Sequence, residues 1–159
     1  MHLQFTPEQE MLRESVIRFT RQECSEELFR RIDEEPYYPH ELYAKLAELG
    51  FIGMPLPAEY GGSGMGCVSS AIFQEELSKR LLPLQMTFQV SILAAGIAIL
   101  DLGTPAQKER FLPPLAQGKI NFAIAFTEPN AGSDAASISL AAVASGEGFR
   151  LSGQKIFIS

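Results

Sequence analysis

The sequence predicts a mostly α protein: an N-terminal all-α helical domain over residues 1–120, followed over residues 121–159 by the truncated beginning of a β-barrel domain. Three observations carry this. Apolar residues recur at helical spacing behind N-capping signals through the first two-thirds of the chain. At Asn121 the period becomes strand-like, with short apolar runs between glycine-containing turns. Those strands are few and would keep bare edges without further chain to pair them.

The elements follow in order. Thr6-Pro7-Glu8-Gln9 has the form of a capping box with Pro at the first helical position, and Met11, Leu12, Val16 and Phe19 then share one face. This helix is expected to fade between Glu23 and Arg31. Pro36 and Pro39 break the chain, because the residue before a proline is pushed towards extended backbone. A second helix starts near Pro39, with Leu42, Leu46 and Leu49 as its buried stripe and Gly50 at its C-terminal turn. From Gly53 to Gly66, Gly and Pro alternate with apolar residues, which predicts a loop folded onto the body rather than a flexible linker. A third helix covers Cys67 to Leu81, burying Val68, Ile72 and Leu77 and leaving Glu75-Glu76 on a solvated face.

The fourth helix runs from about Leu84 to Leu102. Leu81 to Leu100 lacks any charge and has the length of a membrane span. Pro83, Gln85, Thr87, Gln89 and Ser91 would be costly in lipid, so the expectation is a buried central helix and no membrane span. A fifth helix opens at Thr104-Pro105-Ala106-Gln107, and Pro113-Pro114 should kink or end it. Strands are then predicted at Asn121–Thr127, Ile138–Ala144, Phe149–Leu151 and Gln154–Ser159, with a turn at Gly146-Glu147-Gly148.

Composition narrows the function. The net charge of −6, with no basic run, argues against nucleic acid as a partner. Cys24 and Cys67 read as reduced thiols, and the start Met1-His2-Leu3-Gln4-Phe5 has no basic or apolar leader signature, so a cytoplasmic protein is expected. The two histidines, His2 and His40, lie outside any ligand spacing, so no metal is expected. There is no G-x-G-x-x-G after a strand, no G-x-S-x-G elbow around Ser133, and no Lys-Ser/Thr ending to the Gly61–Gly66 loop. What remains is the run Phe126-Thr127-Glu128-Pro129-Asn130-Ala131-Gly132-Ser133-Asp134, an apolar segment breaking into a loop of small polar residues. Such a loop can present N–H groups and hydroxyls to an anionic or polar cofactor group, or it can be an ordinary stiffened turn.

A resemblance bears on that choice. Leu49-Gly50-Phe51, the run Met54 to Gly64, Gly103 to Lys108, Phe111 to Gly118, Thr127 to Asp134 and Leu151 to Ser159 together resemble the N-terminal part of an acyl-CoA dehydrogenase, in order and over essentially the whole chain. The T-E-P-x-A-G-S-D loop followed by a G-x-K-x-x-I-S/T segment is highly specific. The resemblance implies a helical domain, a middle β-barrel and a C-terminal four-helix bundle, with FAD bound between them. It implies oxidation of the Cα–Cβ bond of an acyl-CoA thioester, with hydride passing to flavin N5 and electrons onward to an electron-transfer flavoprotein. It also implies a homo-oligomer.

Carried over by position, Ile124, Ala125, Phe126, Thr127, Gly132 and Ser133 match the first flavin-contacting stretch, and Phe157, Ile158 and Ser159 the second. Thr127 would face the pyrimidine side of the ring, Phe157 would pack against it in place of the commoner Trp, and Ser159 would lie near N5 in place of Thr. Ile124 stands where Tyr is frequent, so a ring or hydroxyl contact is not expected there. Ser133 would lie near the thioester, and Met86, Val90 and Ala94 of the fourth helix would line the acyl-chain pocket. The family's catalytic glutamate belongs to the C-terminal bundle and matches no carboxylate of this chain. The alternatives are an acyl-CoA oxidase or flavin monooxygenase on the same scaffold, and a non-catalytic truncated helical binding module.

Overall fold

Thr6 opens the first helix in the computed structural model, which describes residues 4–158. Its hydroxyl accepts from the Gln9 N–H at 3.3 Å while the Gln9 side chain accepts from the Thr6 N–H at 3.0 Å, which completes the predicted capping box of α1, Pro7–Glu23. Leu12, Val16 and Phe19 face inward, but Met11 is exposed. One residue turns a helix by roughly 100°, so Met11 cannot share the Leu12 face. The expected fading is instead a break and a restart. Ser25 caps a separate helix, α2 (Glu26–Glu34), accepting from the Leu28 N–H at 3.1 Å.

Helix α3 spans His40–Glu48 and buries Leu42, Tyr43 and Leu46. Leu49, predicted to join that stripe, is exposed because it sits at the C-cap, past the last inward-facing turn. The helix closes on Gly50 at φ +79°, with the Gly50 N–H on the Ala47 carbonyl and the Phe51 N–H on that of Leu46. The Tyr43 hydroxyl is buried without a hydrogen-bond partner among the described residues, and burial pushes its pKa up. A buried donor left unpaired costs stability. Tyr43→Phe is therefore expected to raise the unfolding free energy by about 1 kcal/mol in a denaturant titration. A loss of similar size would mean that the hydroxyl has a partner.

The 53–66 segment folds onto the body, as predicted. Met54 and Leu56 are buried, Ala58–Tyr60 forms a 3-10 turn, and the Gly64 and Met65 N–H groups return to the Leu56 and Met54 carbonyls. Helix α4, Cys67–Ser78, packs along α1 and ends a turn earlier than predicted. Ile72, Phe73 and Leu77 are buried; Val68, in the first turn, is exposed. Glu76 overturns the solvated-face reading. It is 4% exposed and takes hydrogen bonds from Arg13 at 2.9 Å and Lys79 at 2.7 Å. Burial alone would raise its pKa; the bonds from Lys79 and Arg13 outweigh that and hold it below the usual range.

The fourth predicted helix is α5, Leu82–Leu102, uncharged as far as Leu100 and running through a π-helical stretch at Phe88–Gly96. Its length and composition would suit a membrane. Here its inner side packs on α4 and on the next helix, Pro105–Ala116, with Leu84, Phe88 and Ile92 fully buried. Gln85 donates to Gln74 and Gln89, so two of the polar groups that argued against lipid have protein partners. Phe88 meets Phe73 edge-on at 4.8 Å, and Phe73 stacks on Phe51 at 5.5 Å, so three elements share one aromatic centre. Helix α6 spans Pro105–Ala116 behind a second capping box at Thr104. It passes Pro113 and Pro114 and ends at Ala116, because burial of Leu112, Leu115 and Ala116 holds the last turn in place.

The chain forms two units, Met1–Phe122 and Ala123–Ser159. In the first, Ser91 secures the end of the unit: its Oγ accepts from the Phe122 N–H at 2.9 Å and donates to the Phe122 carbonyl at 3.1 Å. The second contains one antiparallel hairpin, β1 (Ala141–Ser145) and β2 (Gly148–Ser152), with Ala141 opposite Ser152. Residues 121–127 and 154–158 are not strands; position 159, the end of the predicted last strand, lies outside the described residues. They lack a ladder partner and share one backbone bond, from the Ile156 N–H to the Thr127 carbonyl at 3.0 Å. β1 begins at Ala141 rather than at Ile138 because the Ser139 and Leu140 N–H groups are taken by a carboxylate.

Candidate cofactor site

That carboxylate is Glu128. In a unit whose hairpin strands are exposed throughout, Glu128 and Ala131 are the buried residues among those described. The backbone reverses here, with the Glu128 and Ala131 N–H groups on each other's carbonyls at 2.9 and 3.2 Å, and Pro129-Asn130 between them. One Glu128 oxygen accepts from the Ser139 N–H at 2.8 Å and the Ser139 hydroxyl at 2.9 Å. The other accepts from the Leu140 N–H and the Lys155 ammonium, each at 2.9 Å. The Ser139 N–H, then Lys155, then the Leu140 N–H hold the Glu128 pKa at about 2, against an ordinary 4.5.

A carboxyl depressed on folding contributes stability above its unfolded value and loses it as pH falls towards its folded one. The loop should therefore keep its order above about pH 4.5 and lose it progressively towards about pH 2. Backbone amide shifts of Ser139 and Leu140 followed by NMR in an acid titration check this. A midpoint near the ordinary carboxylate value would contradict it.

The residues matched to the flavin stretches belong to the same unit as Glu128. The Ile156–Thr127 bond ties the first predicted flavin stretch, 124–133, to the residue just before the second, of which 157 and 158 are described. Ile124, Ala125, Phe126, Gly132 and Ser133 are exposed and Thr127 is half-buried. Phe157 is 87% exposed and sits at φ +56°, a left-handed conformation costly for a bulky residue. Ile158 is exposed beside it in sequence, and Ser159 lies outside the described residues. Met86, Val90 and Ala94 belong to the helical unit. They recur every fourth residue of α5, with Met86 and Ala94 exposed and Val90 half-buried, so the row lies towards the side of the helix facing away from the core.

The second unit thus exposes the apolar side chains of Ile124, Phe126, Phe157 and Ile158 and carries the polar Thr127 and Ser133 in the first of these stretches. The Phe126 and Thr127 N–H groups have no hydrogen-bond partner among the described residues. A Cβ added at Gly132 would meet nothing within 4 Å. Exposed apolar side chains beside unpaired N–H donors suit a planar heteroaromatic ring with polar edges. No group of His, Cys, Asp and Glu that could hold a metal occurs among the described residues, and Cys24 and Cys67 are free thiols.

Residues 6–119 match the acyl-CoA dehydrogenase N-terminal domain. The chain belongs to the acyl-CoA dehydrogenase family. Within that family it is 35% identical over 159 residues to the short-chain specific acyl-CoA dehydrogenase of Clostridium acetobutylicum, covering 100% of this chain and 42% of the relative. The chain thus spans about two-fifths of the length of such curated relatives. Its fold is similar to a solved acyl-CoA dehydrogenase complexed with FAD from Bacillus anthracis (TM-score 0.85, 33% identity, 97% of this chain and 27% of the other). It is also similar to a chain in the structure reported for the electron transferring flavoprotein of Acidaminococcus fermentans (TM-score 0.90, 33% identity, 99% of this chain and 41% of the other). The fold class read from the sequence, a helical domain followed by the start of a β domain, is that of the family's N-terminal part.

Sequence reasoning assigned no role to Lys155, which pairs with the buried Glu128 at 2.9 Å. It treated Glu128 only as part of the loop motif. Two opposite charges, Glu128 within the first flavin-matching stretch and Lys155 two residues before the second, were the available signal.

Proposed function

We propose that this chain supplies the N-terminal part of an FAD-dependent enzyme that removes hydrogen from the Cα–Cβ bond of an acyl-CoA thioester. The observation that carries the reading is the Ile156–Thr127 bond, which joins two exposed apolar segments, the first of which has unpaired N–H groups at Phe126 and Thr127. Ile124 to Ser133, with Phe157, Ile158 and Ser159, would hold the flavin. When bound, FAD supplies a two-electron hydride acceptor. Thr127 would donate to the pyrimidine edge, and Phe157 would cover a ring face and exclude water.

Met86, Val90 and Ala94 would line the acyl chain, and Ser133 would contact the thioester end. Abstraction of an α-proton needs a positioned base. Glu128 is unsuited to that task, since both its oxygens are occupied and its carboxyl is held far into the acid range. In this proposal the base is the glutamate that the family resemblance places in the C-terminal bundle. The same proposal includes an electron-transfer flavoprotein as acceptor, a homo-oligomer and a cytoplasmic setting.

The test uses the whole protein. Purified, it should show a flavin spectrum that bleaches anaerobically on addition of an acyl-CoA. Thr127→Val should weaken FAD binding by roughly two- to tenfold, the range of one net hydrogen bond. Rapid recolouring in air would favour the oxidase reading, and a colourless folded protein would favour the non-catalytic one.

A further inference from the structure

The Lys155 side chain does more than pair with Glu128. Its ammonium also donates to the Phe126 carbonyl at 2.9 Å. The next carbonyl, that of Thr127, accepts from the Ile156 N–H at 3.0 Å. Both carbonyls are therefore held towards the 155–156 segment. No peptide bond in the chain is cis, and in a trans peptide the N–H points opposite to the carbonyl of the same unit. The Thr127 N–H is thereby turned away from Lys155. It has no partner among the described residues, whereas the Glu128 N–H, on the following unit, is already spent on Ala131. The ammonium is itself fixed. Lys155 has 18% side-chain exposure and Glu128 4%, and Glu128 is anchored by the Ser139 and Leu140 N–H groups. Few other packed contacts are available to this unit, because its hairpin is exposed along both strands.

We propose that Lys155 and Glu128 are positioning residues for the cofactor: they hold the Phe126–Thr127 peptide with its carbonyl inward and its N–H outward, as a fixed donor to the flavin ring. This rests on the flavin reading above. Neither side chain touches the reacting atoms. The chain of support runs from Ser139 and Leu140 through Glu128 to Lys155, and from Lys155 to the peptide plane. A donor fixed before the flavin arrives needs no reorganisation on binding, and a donor on the pyrimidine edge favours the reduced, anionic ring.

The experiment compares Lys155→Met, Lys155→Arg and Glu128→Gln with the wild type in the whole protein, reading FAD dissociation by flavin fluorescence and the flavin midpoint potential at saturating FAD. Lys155→Met is expected to weaken FAD binding roughly tenfold or more, as loss of a supporting residue behind a ligand contact does. It should also shift the potential to lower values. Lys155→Arg, which keeps charge and donors, should restore most of both. Glu128→Gln should move both in the same direction by less, and it carries the comparison if Lys155→Met does not fold. Wild-type affinity and potential in a folded Lys155→Met would overturn the proposal. So would weaker binding with an unmoved potential, which would mark the pair as structural only. If the wild type itself bound no flavin, the functional reading would fall first and this inference with it.

Discussion

Gly62→Ala is expected to unfold the 53–66 loop and lower the stability of the helical unit by roughly 3 kcal/mol or more, the upper end of what forced overpacking costs. A Cβ at this position would lie 1.9 Å from the Leu56 carbonyl oxygen and 2.5 Å from that of Gly53. Both obstacles are backbone, so no rotamer change relieves them. The Leu56 oxygen also accepts from the Gly64 N–H at 2.8 Å, and the Gly62 N–H donates to Pro57 at 3.1 Å. Moving the loop aside would break both bonds and pull the buried Leu56 from the core. Gly66→Ala is the control, since a Cβ there meets nothing within 4 Å and its φ of −74° suits any residue. Thermal unfolding by circular dichroism should separate the two variants clearly. Equal melting points would mean that the loop does not pack this way.

Phe73→Ala should cost roughly 3–5 kcal/mol, the range for deleting a buried aromatic side chain. Phe73 is fully buried and contacts rings from two other segments, Phe51 after α3 and Phe88 on α5. The cavity would open where α4 meets α5, and close packing leaves little to fill it. A fall in melting temperature of roughly 10 °C or more is expected for a unit of this size. Phe73→Leu should lose less, because it retains most of the volume. A loss below about 1 kcal/mol for the alanine variant would show that the ring is not the packing centre.

Legibility followed the range of the interaction responsible. Both capping boxes, at Thr6 and Thr104, were readable because every group involved lies within three residues. Met11, Leu49 and Val68 were misplaced because apolar character marks a residue as fit for the core without saying which side of its helix meets another element. Glu76 looked like solvated charge because the cation that completes its site, Arg13, is 63 residues away. The outer β segments failed for the same reason: an apolar run becomes a strand only when a neighbour supplies its ladder, and residues 121–127 and 154–158 exchange a single backbone bond.

From the sequence alone came the family resemblance, the helical first unit and the two segments proposed to hold a flavin, because capping, periodicity and motif spacing are written in adjacent residues. Only the tertiary structure decided that Glu128 is buried, that Lys155 reaches it from 27 positions away, and that the Thr127 N–H is left without a partner among the described residues. Desolvation and pairing depend on which distant groups the fold brings within about 3 Å, and no local pattern in the chain encodes that distance.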